Sequence, residues 1–273
     1  MATCYRHPSR ETGVSCSNCG RPICPDCMTS TPVGMRCPEC SRQKTKVKRL
    51  RDVAAVPRVT YALIAANVIA YLTEEGQLSF GGTQVHGKVV YEGWLYRAAI
   101  AEGHQYWRLV SAAFLHENII HIGFNMYLLY VLGMMLEPAI GSARFTAIYT
   151  VALLAGSFGA LFATDAASLG ASGAIFGLMG GAAVELRARG FSVMQSGIGG
   201  LIVINLIFSF TFAGISVGAH IGGLVGGALA AYAVRTADGR RVPALGFVAC
   251  LLLAVVAVAA SIAVAKATGS GIA

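Results

Sequence analysis

Ser172 lies in Gly170-Ala171-Ser172-Gly173, and His220 in Gly218-Ala219-His220-Ile221-Gly222-Gly223. Each opens a long apolar run, where burying a hydroxyl or an imidazole is costly and needs a compensating role. As a pair they are a nucleophile and its general base, the side chains that acyl transfer requires. His121 and Asn125 sit four residues apart at the start of another apolar run, so they project from one helix face. Their ring and amide N–H groups are donors of the kind a developing oxyanion needs, one such donor contributing about 2.7–4 kcal/mol in the transition state. The backbone N–H of Ser172, at a predicted helix start, is a further donor. No carboxylate is placed to orient His220, because Asp165 falls in a loop and Glu185 at the opposite membrane face. The expectation is therefore a Ser–His dyad, with neutral His220 taking the Ser172 proton and returning it to the leaving amine.

A second constellation occupies the N-terminal end. Seven of the eight cysteines precede Ser41, and they fall into two-residue-gap pairs: Cys4/His7, Cys16/Cys19, Cys24/Cys27 and Cys37/Cys40. That gap lets both side chains of a knuckle reach one tetrahedral ion, so eight ligands make two closed, structural Zn2+ sites. Disulfides fit less well, since seven cysteines cannot all pair and one pair position is a histidine. The pattern resembles B-box and RING-like cross-brace modules, in which the first pair shares a metal with the third. That resemblance places Cys4, His7, Cys24 and Cys27 on one ion and Cys16, Cys19, Cys37 and Cys40 on the other. Sequential pairing stays open on spacing alone. Thiolate ligation implies a reducing compartment, hence a cytoplasmic module. The polar, cysteine-rich start does not resemble a secretory signal.

The elements that must position these residues are membrane helices. Mean hydropathy is +0.63; charged residues are 12% and glycines number 33. An ordinary soluble domain carries about 25% charged residues, so this composition points to helices packed closely in lipid. Seven apolar segments follow the basic linker: Val59–Thr73, Ile119–Leu136, Phe145–Thr164, Ser172–Glu185, Gly197–Ala213, Ile215–Val234 and Leu245–Ala265. A span needs about 20 residues, so the first and fourth must extend into their flanks. Of the 21 Lys and Arg residues, 11 precede Val59. Placed against the first span, they read as a cytoplasmic anchor rather than a nucleic-acid site. With the N-terminus inside, internal loops hold Arg144, Arg187, Arg189, Arg235, Arg240 and Arg241, as the positive-inside rule requires. The second, fourth and sixth spans then enter from outside, bringing His121, Ser172 and His220 to one depth. Glycines repeat every four residues at 173, 177 and 181, at 218, 222 and 226, and at 223 and 227. Such stripes let helix backbones approach closely, as a short serine and an imidazole need.

From about Val59 to Thr236 the chain resembles the rhomboid intramembrane serine proteases. The resemblance rests on Trp107-Arg108, on Phe114-Leu115-His116 followed by His121 and Asn125, and on Gly133, Glu137, Gly141 and Arg144. Gly170-x-Ser172-Gly173 and Ala219-His220-x-x-Gly223 complete it. It implies an all-α polytopic membrane protein with a six-helix core, Ser172 as nucleophile, His220 as base, and His121 with Asn125 in the oxyanion hole. It also implies single-span membrane proteins as substrates, with small or helix-destabilising residues near the cut. The expected organisation is a zinc module over 1–42, a basic linker over 43–58, the core over 59–236, and a seventh transmembrane helix with its tail over 237–273. Trp107 and Arg108 read as interfacial anchors, His116 as a loop stabiliser, and Glu137 with Arg144 as a tie between the second and third spans. The expected setting is the cell membrane with the N-terminus inside, the lipid bilayer around the core, and a cytoplasmic protein partner for the zinc module. The alternative function is a non-catalytic, client-binding adaptor of the same family; a solute transporter is disfavoured because the polar residues cluster at one face.

Overall fold

In the computed structural model, residues 2–42, 56–74, 87–212 and 214–269 are described, and the chain divides into two compact units, Met1–Ala54 and Ala55–Ala273. Most of the predicted basic linker, residues 43–55, lies outside the described residues.

The first unit has two short antiparallel pairs, β1 (Ala2–Thr3) with β2 (Glu11–Thr12) and β3 (Thr29–Thr31) with β4 (Gly34–Arg36), then a helical turn, α1 (Pro38–Ser41). Its buried apolar set is Ile23 and six cysteines. One isoleucine supplies far less burial than even a small domain needs, and the rest of this buried set is cysteine.

In the second unit all seven predicted segments are helices: α2 (Arg58–Thr73), α6 (Ile119–Ile140), α7 (Ser142–Ala163), α8 (Ser172–Ala188), α9 (Ile198–Thr211), α10 (Val217–Gly239) and α11 (Pro243–Gly269). Three short helices, α3 (Lys88–Gly93), α4 (Arg97–Ala101) and α5 (Arg108–Ser111), lie between α2 and α6. By length and composition α6, α7, α10 and α11 are long and apolar enough to cross a membrane, while α2 and α9 are shorter apolar helices. This is an all-α polytopic membrane protein, a six-helix core with a seventh helix added. Its polarity is inverted where it meets lipid. On α9 the buried side carries Asn205 and Ser209, whereas Phe210 is 70% exposed. α11 likewise turns Leu251, Val255 and Val256 outward and buries Ala257, Ser261 and Ala265.

α8 is the central post, buried without interruption from Gly173 to Ala182. A helix apolar all round belongs at the centre of a bundle. Its close neighbours are set by missing side chains. A Cβ on Gly223 would lie 1.9 Å from the Gly173 carbonyl oxygen, and one on Gly227 2.2 Å from that of Gly177. The other α10 stripe serves a different helix: Cβ atoms on Gly218 and Gly222 would meet the carbonyls of Gly159 and Ala155 on α7, at 2.1 and 2.4 Å. The glycine pattern thus wedges α10 against two helices at once.

Polar ties hold the frame. Glu137 on α6 accepts the N–H groups of Val59 and Thr60 at 3.0 and 2.8 Å, the Thr60 hydroxyl at 2.7 Å and the Ser142 hydroxyl at 2.6 Å. It therefore caps the start of α2, whose own N-cap, Pro57, offers no side-chain acceptor. Glu137 and Arg144 each link the second and third spans, Glu137 through the Ser142 hydroxyl and Arg144 by donating to the Ile140 carbonyl at 3.2 Å, and each also reaches another helix. Glu137 binds α2 and the first residue of α7, and Arg144 ion-pairs with Asp238 of α10 at 2.8 Å. Arg108 departs from its expected interfacial role. It is 4% exposed, donating to the Tyr91 and Trp94 carbonyls at 2.8 Å and knotting the loop from within.

The contrast between glycines yields a test. Ala has the higher helix propensity by about 1 kcal/mol, so Gly200→Ala, where a Cβ meets nothing within 4 Å, leaves stability unchanged or raised. Gly227→Ala drives a methyl into backbone and should cost about 1–3 kcal/mol despite that propensity. Unfolding midpoints of both variants in one detergent check the sign.

Candidate active site and metal centres

Three helix starts converge to build the candidate active site. Asn118 caps α6 by accepting the His121 N–H at 2.9 Å, and Ser216 caps α10 by accepting the Ala219 N–H at 3.3 Å. α8 begins at Ser172 itself, after a turn that Gly170 makes with φ +119°. A side chain at 170 would be strained in that conformation and would also strike the His121 ring, 2.9 Å from Nε2. The loop before α8 is held by the Gly170 N–H on the Ala112 carbonyl at 2.8 Å and by a paired Leu95–Ser168 bridge.

With α8 and α10 in backbone contact, Ser172 Oγ lies 2.7 Å from His220 Nε2, within the reach a nucleophile and base require. The His220 ring stacks on Phe176, one turn into α8, with centroids 4.2 Å apart and planes 16° apart. Its other nitrogen, Nδ1, is 2.6 Å from Ser209 Oγ on α9, a contact absent from the sequence reading. Among the described residues no carboxylate bonds to His220. Asp165 is engaged by Arg97, and Glu185 by Arg189 and Arg235 at 3.3 and 3.2 Å.

Asn125 is 3% exposed, and its Nδ2 has no partner. A buried amide donor left open is unusual and marks a place for an acceptor to arrive. A cavity of about 570 Å3 meets Ser172, His220, His121 and Asn125 together, with Phe124 and Phe208 among its apolar lining. His116 sits beside it, its ring edge-on to His121 at 5.1 Å and its backbone N–H on Glu74 at 3.2 Å. Burial, with the His121 ring second, pushes the His116 ring down to about 3. Burial pushes the Glu74 carboxyl up to about 7, partly offset by the N–H it accepts.

In the N-terminal unit the ligand atoms of Cys4, His7, Cys24 and Cys27 form one cluster, and those of Cys16, Cys19, Cys37 and Cys40 another, each within 4.8 Å. The first pair meets the third, so the cross-brace arrangement holds and sequential pairing does not. Thiolates arranged tetrahedrally about 2.3 Å from a metal are about 3.8 Å apart. Cys19 and Cys37 sulfurs are 3.8 Å apart, and His7 Nδ1 is 3.3 and 3.5 Å from Cys24 and Cys27. Donors also face the sulfurs: the Cys37 N–H points to Cys16 at 3.3 Å, and the Asn18 amide to Cys40 at 3.3 Å. Such donors support charged thiolates, so both clusters fit a metal ion.

Comparison with known proteins follows this geometry. A rhomboid-domain family model matches residues 103–237, which include His121, Asn125, Ser172 and His220. Rhomboid protease GluP of Bacillus subtilis is 35% identical over 181 residues, covering 65% of this chain and 35% of the relative. YdcA of the same organism is 32% identical over 142 residues, 50% of this chain and 71% of the relative. Inactive RHOMBOID-like protein 8 of Arabidopsis thaliana is 31% identical over 115 residues, 42% of this chain and 32% of the relative. The chain thus spans about a third of the length of GluP, and its relatives include one named as inactive. With the domain matched across the helices of the site and one relative covered over most of its length, the chain belongs to the rhomboid family.

Proposed function

We propose that this protein is an intramembrane serine endopeptidase that cuts transmembrane segments of single-span membrane proteins with a dyad of Ser172 and His220. The observation that carries the reading is the 2.7 Å contact between Ser172 Oγ and His220 Nε2, at a cavity that also receives the open Asn125 donor. An inactive relative exists, so family membership alone does not imply catalysis. A non-catalytic adaptor, however, has no need of a hydrogen-bonded nucleophile and base.

In this mechanism neutral His220 accepts the hydroxyl proton as Ser172 Oγ attacks the scissile carbonyl carbon. The oxyanion that forms is met by the Asn125 amide, the His121 ring N–H and the Ser172 backbone N–H. His220 then protonates the leaving amine, the amide bond breaks, and the acyl-enzyme remains on Ser172. A water, deprotonated by the same imidazole, completes hydrolysis and restores the hydroxyl. The substrate must present an unpaired backbone carbonyl, which an intact helix hides. Segments with glycine, proline or other helix-weakening residues near the cut are therefore preferred.

Each N-terminal cluster is assigned one structural Zn2+, since closed sets of four cysteines, or of three cysteines and one histidine, leave no coordination position for chemistry. The module, taken as residues 1–42, is placed in the cytoplasm, where reduced thiols persist and a protein partner is available. The core, 59–236, and the last helix with its tail, 237–273, sit in the cell membrane with the N-terminus inside, as the loop arginines favour.

Three outcomes follow. In liposomes with a model single-span substrate, wild type cleaves and both Ser172→Ala and His220→Ala fall to background; equal processing by all three sinks the dyad. Asn125→Ala lowers kcat about 10²-fold with little change in KM, because its donor acts chiefly on the oxyanion. Metal analysis finds two zinc ions per chain, and Cys24→Ser or Cys37→Ser each removes one.

A further inference from the structure

Resting on the protease reading of this site, we propose that Ser209 is a positioning residue for His220, the neutral acceptor that fixes the imidazole tautomer needed by a base. Ser209 is 2% exposed and lies on α9, away from the two helices that carry the dyad. Its Oγ is within 2.7 Å of the Asn205 carbonyl and 2.6 Å of His220 Nδ1. A hydroxyl carries one hydrogen. We assign that hydrogen to the Asn205 carbonyl, which can only accept, so that the oxygen faces Nδ1 with a lone pair; given instead to Nδ1, it would select the opposite tautomer. Nδ1 must then carry the ring proton. Nε2 is left with its lone pair toward Ser172 Oγ at 2.7 Å, the state able to take a proton. In the opposite tautomer Nε2–H would point at Ser172, and the ring could not act as base.

Two further observations bear on this role. Phe176 fixes the plane of the ring by stacking, which leaves rotation within that plane to be set by a partner at the ring edge. Asp165 and Glu185 are committed elsewhere, to Arg97 and Arg235, and Glu117, which lines the same cavity, makes no hydrogen bond to His220. A hydroxyl also orients the ring without burying a charge beside it.

The test compares Ser209→Val, which removes the acceptor, with Ser209→Thr, which retains it at the same volume. Full-length protein in detergent is labelled with 15N-histidine, and spectra are taken at about pH 8, above the ordinary histidine range. The His220 signals are assigned by their loss in His220→Ala. Wild type and Ser209→Thr should show Nδ1–H, and Ser209→Val a shift toward Nε2–H. Against the model substrate, Ser209→Val should lose about tenfold in kcat at unchanged KM, the factor of one neutral hydrogen bond, and Ser209→Thr should recover it to within about twofold. A wild-type Nε2–H tautomer, an unchanged tautomer in Ser209→Val, or no recovery in Ser209→Thr overturns the role. Failure of the protease reading has a different signature: wild type would be as inert as Ser172→Ala, while the spectra would still report on Ser209. A Ser209→Val protein that does not fold leaves the wild-type tautomer and the Ser209→Thr comparison to decide.

Discussion

Everything at the site depends on the contact between α8 and α10. Where Gly223 faces Gly173 and Gly227 faces Gly177, no room remains for a single methyl between one glycine and the facing carbonyl. That approach converts two short-reaching side chains into a hydrogen-bonded pair. A wider crossing would leave serine, the smallest hydroxyl side chain, out of reach of the imidazole. The remaining α10 glycines press on α7, so the helix that carries His220 is held from two sides. Helices in lipid gain little from hydrophobic exclusion, and packing of this density is what holds them.

Polar groups in such a bundle have no water to fall back on, and the chain answers this locally. Glu137 supplies to α2 the cap that Pro57 cannot, and Arg97 satisfies the Leu161 carbonyl near the end of α7. Arg108 spends its charge on loop carbonyls. Asn125 Nδ2 is left open, as are both ring nitrogens of His116 and the Tyr149 hydroxyl, and of these only Asn125 Nδ2 belongs to a residue lining the cavity at Ser172. The same economy shapes the Ser172–His220 pair. His220 has a ring stack on one face and a serine at each nitrogen, so its orientation needs no buried carboxylate.

The N-terminal unit solves a different problem. It is too small to fold on Ile23 alone, and its cysteines gather into two clusters that could each hold a metal ion. Cross-bracing makes each cluster join segments from both halves of the module, so an ion held there would constrain the whole fold where sequential pairing would only staple neighbours. The module lies outside the matched domain, residues 103–237.

Much of this was legible in the residues themselves. Apolar runs marked all seven long helices, and ligand spacing marked the eight Cys and His positions, because both patterns are local along the chain. The starts of the second, fourth and sixth runs already grouped His121, Ser172 and His220, since helix polarity follows from order and loop charge. Other features depended on which surfaces meet. The α10 stripes looked alike in sequence, yet one faces α8 and the other α7. Glu137 reached α2, a partner 77 residues away, and Arg108 turned inward. Ser209 is not among the residues singled out from the sequence, and its hydroxyl bonds back to the Asn205 carbonyl of its own helix; the polar pair Asn205 and Ser209, four residues apart in an apolar span, is the signal that could have found it. Its bond to His220 is a tertiary fact. Composition and spacing determined which groups this protein possesses and roughly how deep they lie. Only the folded bundle decided which of them touch, because a hydrogen bond is won or lost over a few tenths of an ångström that helix packing alone controls.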